Sequence, residues 1–254
     1  MKCLIRLFPF NYLSRIVGML VESCLSRIFI KAYAWLYGID LLAATRQPGA
    51  YRTLGDFFVR EIRPELRPLG DGVLSPVDGV LRSFGGIEAG QIAGVKGRDY
   101  SLSALLADDT LALRHNRGSF FNFYLSPADC HHVFAPFACE MISTKHVPGR
   151  LFPVNDWGCA MIPELFSQNR RVVISCKTSI GLMTVIMVGA TNVGRLEVNE
   201  RAAYAAGDKM GTFFLGSSVV LLFEPDSLKP DSSLRTGGHL LYGQTIAQPL
   251  ISAA

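Results

Sequence analysis

Thr212-Phe213-Phe214-Leu215-Gly216-Ser217-Ser218-Val219-Val220-Leu221-Leu222-Phe223 is the stretch on which the reading of the fold turns. It is apolar and uncharged, with small residues at its middle, which reads as a buried strand with a bulge or a close backbone approach at Gly216 to Ser218. Working outward, short apolar runs of the same kind recur at 73–74, 80–84, 119–125, 171–177, 181–189, 193–198 and 239–246, separated by Gly, Pro, Asn and Asp. Such spacing predicts an antiparallel β-sandwich or barrel-like core. Tyr51 to Arg60 reads as a short helix capped by Thr53 and stopped before Pro64. The polar loop 224–233 is followed by another apolar run, so it is no domain linker. The expected class is α+β: a mainly antiparallel β core with amphipathic helices at the N-terminus, and no internal repeat.

Composition narrows the function classes. The chain has 254 residues, 49% hydrophobic and only 18% charged, with a net charge of +4. That much apolar side chain excludes global disorder. No basic block interleaved with aromatics is present, so no nucleic-acid partner is expected. Cys3, Cys24, Cys130, Cys139, Cys159 and Cys176 form no C-x-x-C pair and read as reduced, mostly buried thiols, without a disulfide framework or a metal site.

The positive excess is concentrated in residues 1–39, where Lys2, Arg6, Arg15, Arg27 and Lys31 face Glu22 alone. Charges interrupt every apolar run well short of the roughly 18–20 residues a membrane span needs, and no signal peptide or import peptide is expected. On a continuous helix over 15–36, Val17, Val21, Cys24, Leu25, Ile28, Phe29, Ala32, Trp35 and Leu36 share one face. Ile16, Met19, Leu20 and Ile30 spill onto the other. Basic flanks with Tyr33, Trp35 and Tyr37 suit a lipid headgroup boundary, while packing on the protein's own core is the plainer alternative.

Three segments concentrate chemistry. Leu215-Gly216-Ser217-Ser218 lies inside the opening stretch. Ser75-Pro76-Val77-Asp78-Gly79-Val80 sets an acid in a turn between strands, although most Asp-Gly turns serve local geometry only. Tyr124-Leu125-Ser126-Pro127-Ala128-Asp129-Cys130-His131-His132 places two histidines beside a strand end. With no carboxylate or third histidine at ligand spacing, a metal is the least favoured use of them. His115, His146 and His239 stand apart and read as solvent-facing or structural.

In this order, these segments resemble the phosphatidylserine decarboxylases, a family of pyruvoyl-dependent, self-processing proenzymes. The likeness extends to Tyr51–Arg60, Lys96–Leu102, Val147–Phe152, Val188–Gly194 and Met210–Phe223, and covers about residues 10–250. The resemblance implies that the Ser217 hydroxyl attacks the Gly216 carbonyl and converts the peptide bond to an ester. Elimination and hydrolysis then leave a pyruvoyl group on a short chain, 217–254, beside a long chain, 1–216. The ketone would form a Schiff base with phosphatidylserine and accept the electrons released as CO2 leaves, giving phosphatidylethanolamine. No pyridoxal phosphate and no metal are implied.

The same resemblance makes Asp78 the orienting acid and His131 the histidine of decarboxylation. It also exposes a departure: the family's Asp-Tyr-His-Arg-x-His becomes Asp129-Cys130-His131-His132-Val133-Phe134, so Phe134 stands where the processing histidine belongs. His132 is the candidate substitute base if this segment is a strand, and His131 if it is a helix. The expected organisation is a helical membrane-associating segment, 1–48, and a β-rich catalytic domain, 49–254. It would sit peripherally on a bacterial cell membrane, with a second copy of the chain as a candidate partner. Two other readings compete: a processing-deficient, silent family member acting as a membrane-bound scaffold, and a biotinyl- or lipoyl-type carrier using Lys209.

Overall fold

In the computed structural model, the run 217–223 is strand β13 (Ser217–Phe223), and every residue in it is buried. The structure describes residues 10–93, 99–191, 195–214 and 217–250, with side chains from residue 16 onward. Cys3, the basic residues Lys2 and Arg6, Lys96 to Arg98, Asn192 to Gly194, Leu215 and Gly216 lie outside the described residues.

β13 is flanked by β5 (Ser119–Leu125) and β9 (Gly181–Gly189), both antiparallel, within an eight-stranded sheet. The sheet continues through β8 (Arg171–Thr178) and β7 (Cys139–Val147) to β11 (Ala203–Tyr204) on one side and through β2 (Gly79–Gly86) to β15 (His239–Leu240) on the other. A strand buried on both faces has no polar side to show, so its sequence is a continuous apolar run.

Successive side chains of β13 point to opposite faces. Val219, Leu221 and Phe223 join a core shared with β6 (His132–Phe134), β12 (Lys209–Phe213) and β16 (Thr245–Pro249), strands of two small three-stranded sheets laid over this face. Val220 and Leu222 instead meet Leu102, Leu105, Cys159, Leu165 and Phe166 from short helices on the other face. Each such fully buried aliphatic or aromatic side chain contributes roughly 1.5–3 kcal/mol of burial. The result is α+β and mostly antiparallel, as expected, and the sheets do not close into a barrel.

The N-terminal segment differs from the continuous helix expected over 15–36. Helix α1 (Phe10–Glu22) ends at Ser23, a single 3-10 stretch covers Cys24–Phe29, and α2 (Ile30–Tyr37) follows, closed by Gly38 at φ 64°. The cause is local hydrogen bonding by hydroxyls. Ser23 Oγ accepts the Leu25 N–H, and the Ser26 hydroxyl donates to the carbonyls of Val21 and Ser23. Ser26 Oγ then accepts the Leu54 N–H at the start of α3 (Leu54–Phe58), where Thr53 caps as the sequence indicated. Ile30 and Ala34 pack with Tyr51 and Phe57, so the face turned to the body is not the face with most apolar side chains. Met19, Leu20, Leu25, Ile28, Phe29, Trp35 and Leu36 stay exposed, Trp35 at 85%.

Candidate active site

Ser217 begins β13, paired with Leu125 of β5 and Gly189 of β9, and is buried. By strand alternation its side chain enters the gap between the eight-stranded sheet and the small sheets. His131, immediately before β6, closes that gap from the other side: its carbonyl accepts the Phe213 N–H, and its Nδ1 lies 3.5 Å from Ser217 Oγ.

The tautomer follows from the other ring nitrogen. Nε2 lies 3.0 Å from the Ser126 carbonyl, which can only accept, so Nε2 carries the proton and Nδ1 presents its lone pair to the serine hydroxyl. Burial, with the positive charge of Arg60 as the next cause, pulls the His131 pKa down to about 3 and keeps the ring neutral at physiological pH. Phe58 stacks on it with ring centroids 4.0 Å apart.

The turn that holds His131 is itself braced. Asp129 Oδ2 accepts the Ser126 N–H at 2.6 Å, and the Asp129 N–H returns to the Ser126 carbonyl at 3.0 Å. His239 Nε2 donates to Asp129 Oδ1 at 2.7 Å, so this histidine does not stand apart. Arg60 Nη2 donates to the carbonyls of Ala128 and Asp129. The sequence reading missed Arg60, Phe58 and the roles of Ser126, Asp129 and His239. Only the clustering of residues 124–132 pointed toward them.

The structure places Asp78 elsewhere than beside a histidine. It is buried, and it accepts from Arg67 Nε at 3.0 Å, from Arg67 Nη2 at 2.6 Å and from the Tyr242 N–H at 2.9 Å. None of the described histidine rings hydrogen-bonds to it. Phe134 stacks on Tyr242 at 3.8 Å and 15°, next to this ion pair.

Residues 132–134 do form a strand, and His132 and Phe134 share its face, with ring centroids 6.3 Å apart. The His132 ring is nevertheless committed to Thr212 Oγ1 at 2.9 Å, and burial draws its pKa down to about 4. His131, not His132, meets Ser217. Gly216, the other half of the expected cleavage site, lies outside the described residues.

His115 is buried against Thr184 Oγ1 at 2.8 Å. His146 is exposed. Cys130, Cys139, Cys159 and Cys176 are buried free thiols and Cys24 an exposed one. Among the described residues no group of His, Cys, Asp or Glu could hold a metal ion, and no helix is long and apolar enough to cross a membrane.

A family model described as phosphatidylserine decarboxylase matches residues 54–248, a span containing every residue of this site. A phosphatidylserine decarboxylase proenzyme of Anaeromyxobacter sp. (strain K) is 36% identical over 95% of this chain and 95% of its own length. Proteins of the same name from Brevibacillus brevis and Acinetobacter baylyi are 35% and 33% identical, over 96% and 95% of this chain and 96% and 93% of their own lengths.

Proposed function

Since the chain belongs to the phosphatidylserine decarboxylase family, we propose that it is a proenzyme that cuts itself before Ser217 and then converts phosphatidylserine to phosphatidylethanolamine and CO2. The observation that carries this reading is the unprotonated Nδ1 of His131 facing the Ser217 hydroxyl. A serine hydroxyl is a weak nucleophile until a base takes its proton and a third group orients that base. Here the base is His131 and the orienting group is the Ser126 carbonyl, held in turn by Asp129.

The local residues fit a pyruvoyl group made from Ser217. The side chain is buried, it stands at the head of a central strand, and a neutral histidine lies beside it. Such a group would supply an electron-withdrawing ketone for the electrons released by decarboxylation. His131, neutral and fixed between Phe58 and the Ser126 carbonyl, can hold or return a proton at the reacting carbon. Asp78 in this arrangement neutralises Arg67 and anchors residue 242 rather than orienting a base.

We assign residues 1–48 to membrane association and 49–254 to catalysis. The exposed apolar band from Met19 to Leu36, next to exposed Lys31, supports docking on an anionic lipid surface, where the substrate remains.

The test is conversion of phosphatidylserine in mixed micelles by the purified protein. Phosphatidylethanolamine and CO2 in equal amounts are expected; a cleaved protein that makes neither contradicts the assignment. One arrangement favours the second reading, a silent scaffold: Phe134 on Tyr242 fills the place beside Asp78 that a processing histidine would take. That reading predicts a chain that stays whole.

A further inference from the structure

His131 meets Ser217 from a turn that is only partly held by its own residues. Ser126-Pro127-Ala128-Asp129 closes through the Asp129 N–H to the Ser126 carbonyl at 3.0 Å, with Pro127 fixing φ at the second position. The same carbonyl lies 3.0 Å from His131 Nε2 and sets the tautomer and the angle of the ring. One oxygen with two lone pairs can serve both donors, provided that the turn does not rotate.

Two side chains reach the turn from a distance. Arg60 holds the Ala128 and Asp129 carbonyls, and His239 holds the Asp129 carboxylate. Asp129 Oδ2 is taken by the Ser126 N–H at 2.6 Å, and among the described residues the partner of Oδ1 is His239 Nε2 at 2.7 Å. Asp129 is only 6% exposed, so bulk water does not readily replace a lost donor. The His239 side chain is 48% exposed and borders an open cavity of about 640 Å³, so little of its contribution is packing. The sheet sets its position: His239 of β15 pairs with Val80 of β2, which pairs with Tyr124 of β5, the strand that runs into the turn.

The contact also spans the expected cut. Asp129 and His131 belong to 1–216, whereas His239 and Ser217 belong to 217–254. Breaking the bond before residue 217 removes the covalent tie between the base and its target, and the bond from His239 to Asp129 remains across the gap.

We propose that His239 is a positioning residue, which through Asp129 fixes the Ser126 turn and so keeps Nδ1 of His131 on residue 217. It touches neither reacting atom, and its role rests on the reading of His131 as the base.

The test follows self-cleavage of the full-length chain by denaturing electrophoresis, with thermal melting on the same samples. His239→Ala should cleave roughly 10- to 100-fold more slowly, the scale expected when a remote change misplaces a catalytic group. His239→Gln, whose amide nitrogen can donate to Asp129 in place of Nε2, should recover most of the rate. If His239→Ala does not fold, His239→Leu keeps the bulk and removes the donor. Arg114→Ala is the control for a purely structural effect. It breaks the 2.6 Å pair with Glu224, which also joins 1–216 to 217–254 but follows Phe223, seven residues and about 20 Å along β13 from Ser217. It should cleave at the parent rate. Nitrogen-15 NMR of the His131 ring in the Ser217→Ala chain needs no cleavage: the tautomer protonated at Nε2 is expected alone in the parent, mixed with the other after His239→Ala, and unmixed after Arg114→Ala. Parent-rate cleavage by His239→Ala, no recovery with glutamine, equal slowing by Arg114→Ala, or an unchanged His131 tautomer would each overturn the proposal. A His131→Gln chain that cleaves at the parent rate removes the base and this role together, whereas a slow His131→Gln beside a normal His239→Ala removes this role alone.

Discussion

Replacing His131 by glutamine separates its chemistry from its packing. The glutamine amide can still donate to the Ser126 carbonyl and lie against Phe58, but its oxygen is too weak a base to take the Ser217 proton. A positioned general base contributes about 10²- to 10⁴-fold, or about 3–5 kcal/mol of barrier, and on the proposed mechanism His131, 3.5 Å from Ser217, is the group expected to supply it. The loss of stability should be smaller, about 1–3 kcal/mol, as for an ordinary core substitution. Freshly purified protein is incubated, the long and short chains are quantified by denaturing electrophoresis, and thermal melting is recorded on the same samples. His131→Gln should remain folded and cleave at least about a hundredfold more slowly. His132→Gln loses one hydrogen bond, to Thr212, worth about 1 kcal/mol, and should cleave at nearly the parent rate. Cleavage of the His131→Gln chain at the parent rate, or its abolition in a folded His132→Gln chain, would refute the assignment.

Other consequences can be measured separately. Asp78→Asn strands the Arg67 charge in a mostly buried site and should cost about 3–5 kcal/mol in denaturant unfolding, with much of it recovered by adding Arg67→Met; an exposed-pair cost below about 1 kcal/mol would contradict the ion pair described. His115, His131 and His132 are held near 4, 3 and 4, below the unfolded value of about 6.5. The unfolded chain therefore binds more protons as pH falls, and stability present above about pH 6.5 is lost progressively toward pH 4. Each histidine contributes up to about 1.4 kcal/mol per pH unit, so unfolding midpoints should fall steeply in that window and less steeply in His131→Gln and His132→Gln. Leu25→Asp with Ile28→Asp, on the exposed band, should release the protein from anionic liposomes while leaving self-cleavage unchanged; retained binding would place the docking surface elsewhere.

What the sequence reveals here tracks how local the determining physics is. β5, β9 and β13 are legible because strands buried on both faces are uncharged and mostly apolar along their length, and Thr53 is legible because an N-cap acts over three residues. β7 escapes notice because most of its side chains are half or fully exposed and its apolar residues are sparse. The break at Ser23 is invisible to a periodicity argument, since it comes from hydroxyls competing for backbone groups rather than from the spacing of apolar residues.

The site follows the same rule. The family motifs locate Ser217, His131 and Asp78, but which groups touch is set by contacts far apart in the chain. Asp129 meets His239 across 110 positions, and Arg60 meets the carbonyls of Ala128 and Asp129 across 68 and 69. Alternation along β6 correctly puts His132 and Phe134 on one face, yet Thr212 on the neighbouring strand decides where the His132 ring goes. That Asp78 is held by Arg67 and the Tyr242 N–H could not be read without seeing Arg67 fold back on it.

The central claim concerns the peptide bond entering residue 217, and intact mass combined with N-terminal sequencing of the purified protein tests it most directly. Two chains are predicted, 1–216 and 217–254, the smaller lighter by one ammonia than a chain beginning with serine and refractory to Edman degradation. A single chain of full-length mass after prolonged incubation, or a small chain that begins with an ordinary serine, would contradict the account.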